Sequence, residues 1–403
     1  MDRSAVKILL LDDEPFILKL HAHMLRDLGF STIDAFERGD GALLHLDQGH
    51  VPDLILLDLS MPWMDGIEFL KHLVTRAYGG RLILVSGEDI RLLQTAERLV
   101  RAHGIHILGH LAKPIKPLGL AGLLAEWEKN TSFTPRPAER IFGPDEVRHA
   151  ILGGEILNYY QPKVTLLTGE VQGVECLARW QHPEHGLIEP RRFISVAEQH
   201  HLIDDLTRVT LRLALEDLKA MEALGLDLHI AINLSMSTLR SVEFVDFAAS
   251  EVARASVSPQ DVVFEVTESQ IMRDVRGPLE VLTRLRLMRF SLSIDDFGTG
   301  YSSLSQLRDI PFDELKIDQT FVHRAAHEPT ARAIYDASLS LAKTLGLRSV
   351  AEGVEDQADW DLVHASGCDV AQGYLIARPM PISAFPAWVL DWRDRSRLAF
   401  GYE

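Results

Sequence analysis

The chain has 403 residues, of which 46% are hydrophobic and 25% charged, and this composition predicts a globular protein of two or three domains. The formal net charge of −17 argues against nonspecific binding of DNA or RNA, because such a field repels a polyanion. Two cysteines are too few for a disulfide framework or a cysteine-based zinc site. The sequence shows neither a secretory signal nor an apolar run of the ~18–20 residues that a membrane span needs. We therefore expect a cytoplasmic protein.

The first ~130 residues alternate short apolar strands with amphipathic helices. A helix is expected from Pro15 to about Leu28, since proline favours the first helical turn and Gly29 can end it. The predicted strands are Lys7–Leu11, Thr32–Ala35, Leu54–Leu57, Leu82–Val85 and Ile105–Leu108. Wholly apolar strands that alternate with helices indicate a doubly wound parallel sheet covered on both faces.

Charged and hydroxyl side chains follow the strands of this predicted sheet: Asp12, Asp13, Asp58, Ser86 and Lys113. In an open α/β sheet the functional groups collect at the carboxyl ends of the strands. Three converging carboxylates repel one another unless a cation lies between them. The lysine and the hydroxyl would suit an incoming phosphoryl group.

The segments LLDDEP, LLDLSMPWMDG, VSG and LAKP resemble those of a response-regulator receiver domain. The resemblance implies that Asp58 is the phosphoacceptor, that Asp12 and Asp13 help to hold one Mg²⁺, and that a cognate sensor histidine kinase supplies the phosphoryl group. Ser86 and Lys113 would contact the phosphoryl oxygens. The chain departs from the family at His110, where a tyrosine or phenylalanine usually acts as the switch side chain.

The polar segment Asn130–Ala138 contains two prolines and has no periodicity, which predicts a linker. We therefore divide the chain into residues 1–129, a linker at 130–140, and a second domain at 141–403. About 260 residues of repeated βα units match a TIM-like (β/α)8 barrel, and an open doubly wound sheet is the competing architecture. Strands are predicted at His229–Leu234, Val262–Val266, Ser291–Ile294 and Leu315–Ile317, and a helix at Pro329–Leu345.

Oxygen-bearing side chains and one lysine fall at the ends of the apolar runs in this second domain: Glu175, Asn233, Glu265, Asp295, Asp296, Lys316 and Glu352. Carboxylate and amide oxygens suit a hard divalent cation such as Mg²⁺ or Mn²⁺. A helix N-cap could explain one or two of these residues, but not the whole set. The adjacent pair Asp295–Asp296 could hold two cations ~3.5–4 Å apart, as in two-metal phosphodiester hydrolysis.

This half resembles the EAL domain of cyclic-di-GMP-specific phosphodiesterases. The resemblance rests on YYQPKV, ECLARW, INLS, FEVTES, DDFGTGYSSL, LKID, AEGVE, AQGYL and RPMP, in that order over residues 141–390. It implies two Mg²⁺ or Mn²⁺ ions. The first would be held by Glu175, Asn233, Glu265 and Asp295, and the second by Asp296 with Asp295 bridging.

The same resemblance implies further roles. Glu352 would be the general base or a second-metal ligand, and Lys316 would position the water. Cyclic di-GMP would be contacted by Gln161, Arg179 and Gln372. Glu268 would brace the loop 295–304, which would link the site to homo-oligomer formation.

Cys176 stands where the name-giving motif has alanine. By strand alternation it points away from the metal ligands, so we expect a packing change without loss of activity. The sequence thus predicts a receiver-regulated, metal-dependent enzyme that hydrolyses cyclic di-GMP to pGpG. The alternative is an inactive EAL domain that senses cyclic di-GMP without cutting it.

Overall fold

The computed structural model describes residues 3–76, 78–87, 106–129, 142–273, 276–299 and 310–400. The chain divides into two compact units, residues 1–139 and 140–403. The predicted linker at 130–140 lies outside the described residues, and the domain boundaries stay a prediction. Within the described part of the chain, no helix combines the length and apolarity needed to cross a bilayer.

The first unit contains a parallel five-stranded sheet, in the order β2-β1-β3-β4-β5. Its strands are β1 (Lys7–Leu11), β2 (Thr32–Phe36), β3 (Leu54–Asp58), β4 (Arg81–Ser86) and β5 (His106–Ala112). The described helices around it are Pro15–Asp27, Gly39–Asp47, Gly66–Thr75 and Pro117–Lys129. The predicted doubly wound fold is confirmed. The fifth strand extends four residues beyond the prediction.

Both faces of this sheet are buried because successive side chains of an apolar strand point to opposite sides. In β1, Leu9 and Leu11 pack in one hydrophobic cluster, with Leu57 of β3. Ile8 and Leu10 pack in the other, with Leu56. This two-sided burial fixes the strand ends, and with them the polar groups that follow.

The second unit is a closed eight-stranded barrel, in the ring order β6-β14-β13-β12-β11-β10-β9-β7 with β6 pairing back to β7. Its strands are β6 (Ile156–Thr165), β7 (Val171–His182), β9 (His229–Asn233), β10 (Val262–Thr267), β11 (Ser291–Phe297), β12 (Glu314–Ile317), β13 (Arg348–Ala351) and β14 (Val370–Ala371). Two short strands, β8 (Gly186–Ile188) and β15 (Met380–Pro381), pair with β7 and β6. The barrel prediction is confirmed, and the open sheet is excluded by this closure.

One strand departs from an all-parallel barrel. β6 runs antiparallel to both of its neighbours, β7 and β14. The reason is local: a short turn containing Gly169 joins β6 to β7. In this turn the N–H of Thr165 donates to the carbonyl of Glu170, and the N–H of Gly169 donates to the carbonyl of Thr165. So short a connection can form a hairpin but cannot cross over to make a parallel pair.

Helices surround the barrel and bury its outer face. They are Pro144–Gly153, Ile194–Gln199, Ile203–Ala223, Val242–Ala255, Glu268–Arg273, Arg276–Leu287, Gln319–Ala325, Pro329–Leu345, Gln357–Ala365 and Phe385–Phe400. The helix predicted at Pro329–Leu345 has those bounds and ends at Gly346 in the left-handed conformation. The core between helices and strands contains large fully buried side chains such as Phe264, Phe290 and Tyr335.

Candidate functional site

Strands β7, β9, β10, β11 and β12 are consecutive neighbours in the ring and run parallel, so their carboxyl ends meet at one rim. Their register brings Glu265 beside Asn233 and places Glu175 beside Ala231, two residues before Asn233. The predicted ligands are therefore brought together by strand order and register.

Lys316 lies at the centre of this rim and is fully buried. Its Nζ contacts four carboxylates, those of Glu352 at 2.7 Å, Asp295 at 3.0 Å, Glu265 at 3.1 Å and Glu175 at 3.4 Å. Burial opposes the lysine's charge, but these carboxylates outweigh it and raise its pKa well above the usual value. A single ammonium thus gathers carboxylates from three strands and from the residue that follows β13.

Side-chain amides bind the same cluster. Gln372 donates to Glu175 Oε2 at 2.7 Å and to Gln161 Oε1 at 3.1 Å. Asn233 donates to Glu175 Oε1 at 3.0 Å. Gln161 in turn donates to the carbonyl of Ala377 at 3.2 Å. Of the two residues predicted to bind substrate, Gln372 therefore contacts a predicted metal ligand directly, and Gln161 is joined to that ligand through Gln372.

The carboxylates of the cluster have opposite pKa shifts. Burial would raise the pKa of Glu175, but the charges of Lys316 and Lys163 lower it to about 2. Burial raises the pKa of Glu265 to about 7, although the same two lysines oppose it. Burial and the neighbouring Asp295 raise the pKa of Asp296 to about 7. Such crowding of buried carboxylates favours a cation among them.

One carboxylate oxygen from each of Asp295, Asp296 and Glu352 lies within 4.8 Å of the other two. Neighbouring residues of a regular strand point to opposite faces. Here the pairing of β11 with β12 shifts register between Ile294 and Phe297, and Asp296 adopts a left-handed backbone with φ of 54°. This irregularity allows adjacent aspartates to face one site. The donor set fits a hard divalent cation.

Glu268 follows β10 directly, and Arg179 lies on β7. Glu268 is 2% exposed, and its Oε2 accepts the N–H of Gly298 at 2.8 Å, at the start of the predicted loop. The remainder of that loop, from residue 300, lies outside the described residues. The guanidinium of Arg179 lies 5.4 Å from the ring centre of Tyr159 and donates to the carbonyl of Ala178.

Lys163 and Glu314 also belong to this cluster, although neither is among the site residues predicted from the sequence. Lys163 contacts Glu265 Oε1 at 2.7 Å and Glu314 Oε1 at 3.2 Å. The signal that could have identified them is strand alternation, because Lys163 is two residues from Gln161 and Glu314 is two residues from Lys316. Both pairs therefore share the inner face of the barrel.

The first unit contains a smaller polar site at the carboxyl edge of its sheet. Lys113, just after β5, contacts Asp12 and Asp58, each at 2.8 Å. Burial opposes its charge, but the two carboxylates outweigh it and raise the pKa of Lys113. Carboxylate oxygens of Asp12, Asp13 and Asp58 lie within 4.8 Å of one another. Ser86 is fully buried at the end of β4, and its carbonyl accepts the N–H of Lys113.

Comparison with known proteins identifies both units. A model of the EAL domain matches residues 145–379, and a model of the response regulator receiver domain matches residues 8–124. The chain belongs to the EAL-domain family. It carries a receiver domain in its N-terminal unit.

Several relatives of this EAL protein are enzymes of Pseudomonas aeruginosa. Cyclic di-GMP phosphodiesterase RocR is 34% identical over 383 residues, which cover 94% of this chain and 97% of RocR. Cyclic di-GMP phosphodiesterase NbdA is 36% identical over 259 residues, 64% of this chain and 33% of NbdA. The structure of PaMucR phosphodiesterase in complex with c-di-GMP has a TM-score of 0.58 and 40% identity, and covers 60% of this chain and 98% of that one.

Two residues distinguish this EAL protein from the family pattern described above. His110 lies in β5, with its side chain partly exposed, where the receiver family has its aromatic switch. Cys176 is 3% exposed and packs in the hydrophobic layer outside the barrel strands. Burial raises the pKa of its thiol well above the usual value, so the thiol is neutral and its surroundings suit packing.

Proposed function

We propose that this protein hydrolyses cyclic di-GMP to linear pGpG with divalent cations, under control of its receiver domain. The observation that carries the proposal is the gathering of four carboxylates from different strands around the buried Lys316. The similarity to RocR, a cyclic di-GMP phosphodiesterase that aligns with nearly the whole chain, supports cyclic di-GMP as the substrate.

Glu175, Asn233, Glu265 and Asp295 would hold one cation. Asp295 and Asp296 would hold a second, and Glu352 has a carboxylate oxygen within 4.8 Å of both aspartates. When bound, a pair of Mg²⁺ or Mn²⁺ ions supplies Lewis-acid stabilisation of a phosphodiester and makes a bound water more acidic. The all-oxygen donor set agrees with these hard ions.

The protein's own groups would place the substrate and move the proton. Glu352 takes a proton from the attacking water, a role that suits a carboxylate whose pKa burial raises. Lys316 lies 2.7 Å from Glu352, and its ammonium offers three N–H donors with which to orient both Glu352 and that water.

Gln161 and Gln372 contact the dinucleotide from the β6–β14 side of the barrel. Arg179 lies on β7, four residues beyond Glu175 and on the same face, and its guanidinium can bind a phosphate through two parallel hydrogen bonds.

In the receiver domain, Asp58 accepts a phosphoryl group from a sensor histidine kinase. Asp12 and Asp13 hold one Mg²⁺, and Lys113 and Ser86 contact the phosphoryl oxygens. The 2.8 Å contact of Lys113 with Asp58 supports this assignment, because an ammonium at this position could also contact a phosphoryl oxygen on Asp58. We further propose that the EAL domain forms a homo-oligomer of two or more subunits through the loop that Glu268 braces.

The test is turnover of cyclic di-GMP by the full-length protein in Mg²⁺ or Mn²⁺, with chromatographic detection of pGpG and a mass measurement of the assembly. Conversion to pGpG supports the proposal. Tight binding of cyclic di-GMP without turnover would identify a sensor, and neither binding nor turnover would reject both functions.

A further inference from the structure

Lys163 is a buried cation beneath the proposed metal site. It lies on β6, inside the barrel, and is 5% exposed. Its Nζ contacts Glu265 Oε1 at 2.7 Å, while Glu265 Oε2 contacts Lys316 at 3.1 Å. Glu265 is fully buried. Each oxygen of this carboxylate is therefore held by a different lysine.

Glu314 supplies the counter-charge for Lys163. Its Oε1 lies 3.2 Å from Lys163 Nζ and accepts a hydrogen bond from Ser293 at 3.1 Å. Burial would raise the pKa of Glu314, but Lys163 and Lys316 outweigh it and lower that pKa. Glu314 lies two residues before Lys316 in β12, so it faces the barrel interior below the rim.

We infer that Lys163 is a positioning residue for the proposed cation site, and that Glu314 fixes Lys163. Lys163 holds Glu265 Oε1, so it fixes the rotation of a carboxylate that would bind the cation from β10. Partners of metal ligands orient those ligands, and their loss typically costs about 10–100-fold in metal affinity or activity. The inference rests on the proposed function, because it assigns Glu265 as a ligand.

Removing Lys163 alone has two opposing effects on cation affinity. Glu265 loses its orienting donor, which weakens binding, while the site loses a positive charge, which strengthens it. The single variant also leaves Glu314 as a buried carboxylate without its partner, which destabilises the fold. The variant Lys163→Met with Glu314→Gln removes one charge of each sign, so it isolates the loss of orientation.

The experiment measures Mn²⁺ binding by calorimetry on the full-length protein without substrate, alongside thermal unfolding and turnover at saturating Mn²⁺. In the double variant we expect about 10–100-fold weaker Mn²⁺ binding and a fall in kcat with KM for cyclic di-GMP near that of the parent. We expect its thermal midpoint to lie above that of Lys163→Met. A matched control is Lys219→Met with Glu222→Gln, an exposed pair 2.6 Å apart, which should change none of these quantities.

Two results overturn the inference. Parental Mn²⁺ affinity and kcat in the double variant would show that Lys163 only fills the core. A double variant as unstable as Lys163→Met would show that Glu314 is not its counter-charge. Failure of the proposed function gives a different result, because the parent protein would then bind Mn²⁺ without turning over cyclic di-GMP, or would not bind Mn²⁺.

Discussion

Glu268 fixes the backbone of Gly298 through a partly buried hydrogen bond, 2.8 Å from carboxylate oxygen to amide nitrogen. Gly298 has φ of +100°, and a Cβ there would lie 2.9 Å from the ring of Phe321. Glycine, which has no Cβ, adopts this conformation without strain and avoids the clash with Phe321. The contact thus ties a conformationally unusual residue, two positions after Asp296, to the end of β10.

The first prediction concerns this tie. Glu268→Ala leaves a partly buried N–H without its partner, a cost of about 1 kcal/mol that we expect to loosen the chain after Asp296. Turnover should fall about tenfold or more, and Glu268→Gln, which retains an acceptor oxygen, should be affected less. Steady-state kinetics check this, with the neighbouring Ser269→Ala as the control. If Glu268→Ala retained the parental turnover, the contact between Glu268 and Gly298 would have no role in catalysis.

The second prediction concerns the cation. Chelation should abolish turnover, and Mg²⁺ or Mn²⁺ should restore it, because the site consists of hard oxygen donors. Ca²⁺ should fail to restore turnover, since it accepts looser geometry and more ligands than Mg²⁺. The measurement is pGpG formation after dialysis against a chelator and addition of each ion. Full activity with Ca²⁺ would contradict the two-cation site.

The third prediction concerns Glu352. Glu352→Gln keeps the shape of the side chain but removes the group that we propose takes the proton, and general bases typically contribute about 10²–10⁴-fold. We expect kcat to fall by that factor, while cyclic di-GMP binding measured by calorimetry stays near the parental value. The exposed Asp361→Asn on helix Gln357–Ala365 is the control. Retained turnover would mean that another group accepts the proton.

The fourth prediction concerns the receiver domain. Beryllofluoride, which mimics a phosphoryl group, should change the rate of pGpG formation, because Asp58 lies at the carboxyl edge of the sheet beside Lys113. Asp58→Asn should remove the response while leaving the basal rate. An identical response in that variant would exclude Asp58 as the acceptor. If beryllofluoride did not change the rate of the parent protein, the receiver domain would not control turnover.

The location of these sites could be predicted because apolar strands end in polar residues, and parallel strands bring those ends together. The side-chain contacts within the site could not be predicted. Lys163 and Glu265 are 102 residues apart, and their contact depends on closure of the barrel. Alternation in an unbroken strand would also place Asp296 opposite Asp295. The register shift in β11 and the positive φ of Asp296 change this, and both depend on the neighbouring strand.

The fifth prediction concerns His323, whose Nδ1 lies 2.9 Å from Oδ2 of the buried Asp359. The hydrogen bond with Asp359 raises the pKa of His323, and the charges of Asp359, Glu355 and Asp356 add to this. Because the folded pKa exceeds the unfolded value of about 6.5, the stabilisation is fully present below pH 6.5 and is lost as the pH rises through the folded pKa.

Since the histidine is half exposed, the contribution should be at most about 1 kcal/mol. Urea unfolding at pH 5.5 and pH 8.5 should show that His323→Gln costs more stability at the lower pH. An NMR titration of His323 checks the direction independently.

Asp359 also accepts the N–H of Glu355, three residues after Glu352, so protonation of His323 would stabilise the segment that follows the proposed base. A pKa below 6.5 for His323 would remove this link.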